Sequence, residues 1–137
     1  MKIEIIKCLK DNFSYLLINE KNSDACVVDP GEAKPVLKFI EENKINLKYI
    51  LNTHHHGDHI GGNNTLKNKF SAKILASEND RERIPEIDIF LSDGQIWKDD
   101  IFEFKVISVP GHTMGHICFH FFNEKIVFTG DTLFSLG

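Results

Sequence analysis

Apolar and polar residues alternate along this chain with two different periods, and the switches between them mark out its elements. Apolar stretches bounded by turn residues predict strands over 2–7 and 13–19, joined by a turn at Lys10-Asp11-Asn12, and a short buried strand over 25–29 that ends at Pro30-Gly31. The period then changes. Ala33, Val36, Leu37 and Ile40 are spaced as one face of a helix over 32–43, and Pro35 falls in its first turn, where proline is tolerated. A strand over 48–52 runs straight into a histidine-rich stretch. A helix over 60–70, a strand over 73–76 and a helical turn over 77–83 follow. The pattern over 83–94 predicts no element. A strand over 102–109 ends at Pro110-Gly111, a hairpin pairs 116–122 with 125–129 across Asn123-Glu124, and 130–137 reads as a loop. Strands alternating with helices predict a mixed α/β layered fold with polar clusters on loops at strand ends.

The length of 137 residues suits one domain over 1–137, and 42% hydrophobic with 26% charged residues is ordinary for a soluble globular chain. The net charge of -4 argues against nucleic acid as a partner, which would favour a basic face. No apolar run approaches the roughly 18 residues that span a bilayer, and the first ten residues lack the apolar core of a secretory leader. The expected location is therefore cytoplasmic, away from membranes. Cys8, Cys26 and Cys118 are far apart and set among apolar residues, with no CxxC, so they read as reduced packing residues.

The seven histidines change this picture most: His54, His55, His56 and His59 fall in one stretch, and His112, His116 and His120 in another. The first stretch, Thr53-His54-His55-His56-Gly57-Asp58-His59, follows an apolar strand and precedes Gly61-Gly62. His54 and His56 are two apart, so an extended backbone turns both imidazoles to one face, where they can bind one metal ion. Asp58 and His59 follow just after the turn and can reach a second ion. Imidazole with carboxylate suits zinc, iron or manganese better than calcium or magnesium. The second stretch, Pro110-Gly111-His112-Thr113-Met114-Gly115-His116, and a third, Thr129-Gly130-Asp131-Thr132, also follow apolar strands. An aspartate between two ions can bridge them, which makes Asp131 the natural bridging ligand. Taken singly, a histidine run is often a solvated loop, His112 a surface histidine and Asp131 a turn residue. Three polar tips in this order, each after an apolar strand, are hard to reconcile with coincidence.

His54-x-His56-x-Asp58-His59 resembles the signature of the metallo-β-lactamase superfamily. Asp11-Asn12-Phe13-Ser14-Tyr15-Leu16, Val28-Asp29-Pro30-Gly31-Glu32-Ala33, residues 53–62, residues 110–116 and Phe128-Thr129-Gly130-Asp131-Thr132-Leu133-Phe134-Ser135 resemble glyoxalase II, the hydroxyacylglutathione hydrolases. The resemblance implies an αββα sandwich and two divalent metal ions, zinc first, with iron or manganese as the alternatives. It implies that His54, His56 and His112 hold the first ion, that Asp58 and His59 hold the second, and that Asp131 bridges them. It implies a glutathione thioester as substrate, cleaved by a metal-bridging hydroxide that Asp58 helps to orient. His55 and His116 are not expected to bind metal. His116 either hydrogen-bonds a ligand or packs on its strand, Asp29 is expected to orient a ligand, and His120 is expected to have no role.

The resembled family continues past residue 137 with a loop of glycine and basic residues, a further histidine ligand and a helical region that carries most of the glutathione-binding groups. The chain is therefore expected to be a C-terminally truncated sandwich, prone to self-association or in need of a complementing fragment. Three alternatives follow: a non-catalytic metal-binding remnant, a persulfide dioxygenase with a single iron, and a ribonuclease Z. The GDTLFS run favours the thioesterase, and the acidic balance argues against RNA.

Overall fold

In the second strand every residue from Ser14 to Ile18 is buried, whichever way it points. Leu16 and Ile18 enter one apolar cluster and Tyr15 and Leu17 another, so this strand needs a layer on each side. The computed structural model, which describes residues 1–109, 115–130 and 132–135, supplies both layers. A six-stranded sheet runs in chain order through β1 (Lys2–Cys8), β2 (Asn12–Ile18), β3 (Asp24–Val28), β4 (Asn46–Leu51), β5 (Lys73–Ser77) and β6 (Ile89–Leu91). The first three strands are antiparallel neighbours, and β3 to β6 are parallel. A five-stranded antiparallel sheet, in the order β11-β10-β9-β8-β7, is built from β7 (Ile96–Lys98), β8 (Glu103–Ser108), β9 (Ile117–Phe121), β10 (Ile126–Phe128) and β11 (Leu133–Ser135).

Helices α1 (Ala33–Asn43), α2 (Gly57–Ile60) and α3 (Asn63–Phe70) follow β3 and β4. Val36 and Ile40 of α1 and Leu66 of α3 pack on Leu16, Val27, Ile50 and Ile74 of the first sheet. The other face of that sheet packs on the second sheet through Phe102, Phe104, Phe119, Phe121 and Phe128, all fully buried. The order of layers is thus helix, sheet, sheet. Among the described residues no helix covers the outer face of the second sheet, so three layers of the expected four are present.

The structure departs from the sequence pattern in six places. The expected helix over 60–70 is two helices, broken at Gly61-Gly62, where the backbone of the Pro30–Gly31 turn presses in and Gly62 N–H donates to the Pro30 carbonyl at 2.7 Å. The helical turn over 77–83 is a single 3-10 turn at Glu78–Asp80. Strand β6 lies in the unassigned 83–94 stretch, β7 follows it, and β11 falls within the expected terminal loop. These three strands have three residues each, too few to show a period. Finally, the register between β3 and β4 shifts at Ala25/Cys26, so Leu47 and Ile50 both face the helices and break the simple alternation.

Candidate metal centre

Because β3, β4 and β5 run parallel, their carboxyl ends lie side by side, and the chain leaves each of them into a polar loop. Asp29 follows β3, residues 52–59 follow β4, and the Glu78–Asp80 turn follows β5. Asp29 N–H donates to the Leu51 carbonyl at 2.9 Å and Asn52 N–H to the Leu75 carbonyl at 3.0 Å, which fixes the three loops in register.

Asp29 is buried and has a left-handed backbone, φ 52°. Its Oδ1 accepts from Thr53 N–H at 2.8 Å, and its Oδ2 accepts from the Thr53 hydroxyl at 2.6 Å and faces His59 Nδ1 at 3.1 Å. The hydroxyl oxygen of Thr53 also lies 2.8 Å from His54 Nδ1. Its one proton goes to Asp29, so that oxygen accepts from His54 Nδ1–H. The same reasoning puts a proton on His59 Nδ1, because a carboxylate only accepts. In both rings the tautomer assigned this way leaves Nε2 with the lone pair a metal needs.

The rings converge on His54: the centroid of His59 is 4.1 Å away, that of His56 4.7 Å and that of His116 4.7 Å. His56 reaches this position as the extended residue that caps α2. Asp58 Oδ2 lies 3.4 Å from His59 Nε2 and accepts from Asn12 Nδ2 at 2.8 Å. Burial works to raise the Asp58 carboxyl, but the Asn12 hydrogen bond and the His59 charge outweigh it and hold the group below its ordinary value. Burial, then the neighbouring His59, His116 and His56, push His54 down to about 3, so it is a neutral imidazole at any working pH. Gly31 allows the close packing around Asp58, since a Cβ there would collide with the Asp58 carbonyl.

This donor set fits a divalent cation. His54, His59 and Asp29 each offer a ligand atom within 4.8 Å of the others. Both Asp29 oxygens already accept hydrogen bonds, so within this group the carboxylate orients the two rings and the imidazoles are the donors left to face a cation. His54, His56, Asp58 and His59 lie together, as the sequence spacing suggests. His112 and Asp131 lie outside the described residues. His116 stacks on His54 at an interplanar angle of 22°, and its Nε2 donates to the Thr129 carbonyl at 3.0 Å. His120 lies in β9 with its ring 6.1 Å from that of Phe122. His55 aims Nδ1 at the buried carboxylate of Asp80, 3.5 Å away. Asn12, Thr53 and Asp80 also belong to the site and were not singled out by sequence pattern, although Asn12 and Thr53 fall within the motifs at residues 11–16 and 53–62. Asp80 gives no local signal, because it lies in a charged run that reads as surface.

The chain resembles known proteins along its whole length. A family model described as the metallo-beta-lactamase superfamily matches residues 11–137. A hydroxyacylglutathione hydrolase of Pelagibacter ubique (strain HTCC1062) is 58% identical over 137 residues, 100% of this chain and 57% of the relative. One of Methylococcus capsulatus is 42% identical over 137 residues, again 100% of this chain and 54% of the relative. The chain thus spans about half the length of the curated relatives it matches. Among solved structures, the B3 metallo-β-lactamase BLEG-1 superposes with a TM-score of 0.85 at 22% identity, covering 93% of this chain and 71% of that one. ETHE1 from Myxococcus xanthus superposes with a TM-score of 0.79 at 24% identity, covering 94% and 56%. Such identities bear on the fold alone.

Proposed function

The chain belongs to the metallo-β-lactamase superfamily, and from that membership we propose that it is the metal-binding part of a thioester hydrolase acting on S-D-lactoylglutathione, releasing glutathione and D-lactate. The observation that carries the reading is the convergence of His54, His56, Asp58 and His59 beside an Asp29 that orients two of them. The names of the relatives, hydroxyacylglutathione hydrolases over 100% of this chain, supply the substrate class.

In this reading His54, His56 and His112 would hold one ion, Asp58 and His59 a second, and Asp131 would be shared between them. Zinc is the first choice and iron or manganese the alternatives. A bound divalent cation supplies Lewis acidity and brings the pKa of water down to about 7. Asp58, kept ionised and turned by Asn12, accepts a hydrogen bond from the attacking water and orients it toward the thioester carbonyl. Thr53 and Asp29 keep His54 and His59 in the tautomers that leave Nε2 for metal. The leaving group is a thiolate with an ordinary pKa near about 8.5, so the chain need supply little proton donation.

The test measures hydrolysis of S-D-lactoylglutathione and metal content on one purified sample. Turnover with about two ions per chain, the stoichiometry of a two-metal site, supports the reading. Metal near one per chain without turnover favours a non-catalytic metal-binding piece, and a folded sample that takes up no metal overturns the site. Asp131→Ala is expected to release both ions, and full metal content in that variant would remove the bridging assignment.

A further inference from the structure

His55 lies between two proposed ligands, and its ring centroid is 5.0 Å from that of His56. It points at Asp80, whose side chain is 1% exposed, with Nδ1 and Oδ1 3.5 Å apart. Among the described residues, His55 Nδ1 and Asp80 Oδ2 are the buried side-chain polar atoms without a hydrogen-bond partner. Oδ1 of Asp80 takes one bond from Arg83 Nη1 at 3.2 Å. Asp80 also fills the space beside Gly115, where a Cβ would collide with all three carboxyl atoms. The next residue, His116, stacks on His54.

A buried carboxylate with an unsatisfied oxygen is costly, and such groups call for an explanation. Turn formation does not supply one. The turn is closed by the Asp80 backbone carbonyl, which accepts from Arg83 N–H at 2.9 Å and Ile84 N–H at 3.0 Å, and any residue would offer that. We propose that Asp80 is a positioning residue for the metal centre: its carboxylate anchors the His55 imidazole and abuts Gly115, and so sets the loop carrying His54 and His56 against His116, just before β9. The proposal rests on the reading of this cluster as a metal site. It assigns Asp80 no contact with metal or substrate.

The test uses the full chain with Asp80→Ala, Asp80→Asn and His55→Phe, each checked for folding by near-ultraviolet circular dichroism. In the metal-free chain, long-range proton–nitrogen correlation of the imidazoles is expected to place the His55 proton on Nδ1. Asp80→Ala is expected to abolish that signal, and Asp80→Asn, which keeps an acceptor oxygen, to retain it. Zinc affinity by chelator competition is expected to fall roughly 10-fold in Asp80→Ala, the lower end for residues that orient ligands, with most of it restored in Asp80→Asn. His55→Phe should repeat the loss, and the double variant His55→Phe/Asp80→Ala should be no worse than either. A folded Asp80→Ala chain that binds zinc as the unaltered chain does, or a His55 proton on Nε2, overturns the proposal. An unaltered chain that takes up no zinc overturns the metal centre itself, and the metal-free His55 signal still separates that failure from loss of the Asp80 contact.

Discussion

Asp29 gathers hydrogen bonds from the Thr53 amide, the Thr53 hydroxyl and His59 Nδ1, and it does so from a left-handed backbone that asparagine and aspartate tolerate better than other residues. Asp29→Asn keeps the backbone but sets an amide donor against at least one of those donors. The metal-free variant is expected to lose about 1–3 kcal/mol in urea unfolding, and unchanged stability would dismiss the anchoring role. Gly31→Ala drives a methyl into the Asp58 carbonyl, backbone against backbone. A loss above about 2 kcal/mol is expected for strain of this kind, read as a fall in melting temperature. The histidines and Asp58 were legible in the sequence because ligand chemistry imposes residue type and local spacing. Asn12 as the partner of Asp58 was not, since the two are 46 residues apart and meet only through the fold.

At the scale of elements, β1 to β5 and α1 were legible because each is an apolar run or an apolar helical face long enough to stand out between turn residues. In α1 the expected positions Val36 and Ile40 are buried, and Ala33 and Leu37 pack partly against the same core. The second sheet was half legible. Strands β8 and β9 alternate over five or six residues, whereas β7 and β11 have three and are defined by their neighbours. The phenylalanines pack side by side on its inner face, with Phe104 5.2 Å from Phe119 and 5.2 Å from Phe121 and Phe121 5.6 Å from Phe128, and Tyr15 of the first sheet meets Phe128 at 5.5 Å. Phe104→Ala is expected to cost about 3–5 kcal/mol. The control Phe90→Ala, at a ring 39% exposed beneath Arg81, should cost below about 1 kcal/mol. Chemical denaturation of the two variants side by side checks the contrast, and equal losses would mean the sheets are not held together by this cluster.

Over the whole molecule, the two apolar clusters share one sheet, and adjacent residues of a single strand, such as Leu16 and Leu17, serve different clusters. Loss of one cluster therefore withdraws the strands that the other needs. Unfolding followed by far-ultraviolet signal, which reports the helices and strands, and by Trp97 fluorescence, which reports the space between the sheets, should give coincident transitions. Two separate midpoints would show that the layers come apart independently. The layering was legible from the alternation of strands and helices. The short strands and the register shift were not, because they answer to packing across the sheets and leave no period behind.

The strands of the first sheet stand in the order in which they are made, and among the described residues the helix-side cluster draws on none beyond Ile87. During vectorial synthesis this layer can close while the second sheet is still in the ribosomal tunnel. Asp29, His54, His56, Asp58 and His59 would then be assembled before the phenylalanines of the second sheet emerge. In that interval Tyr15, Leu17, Val28, Leu51 and Leu75 stand uncovered, a greasy face that a nascent-chain chaperone would meet first.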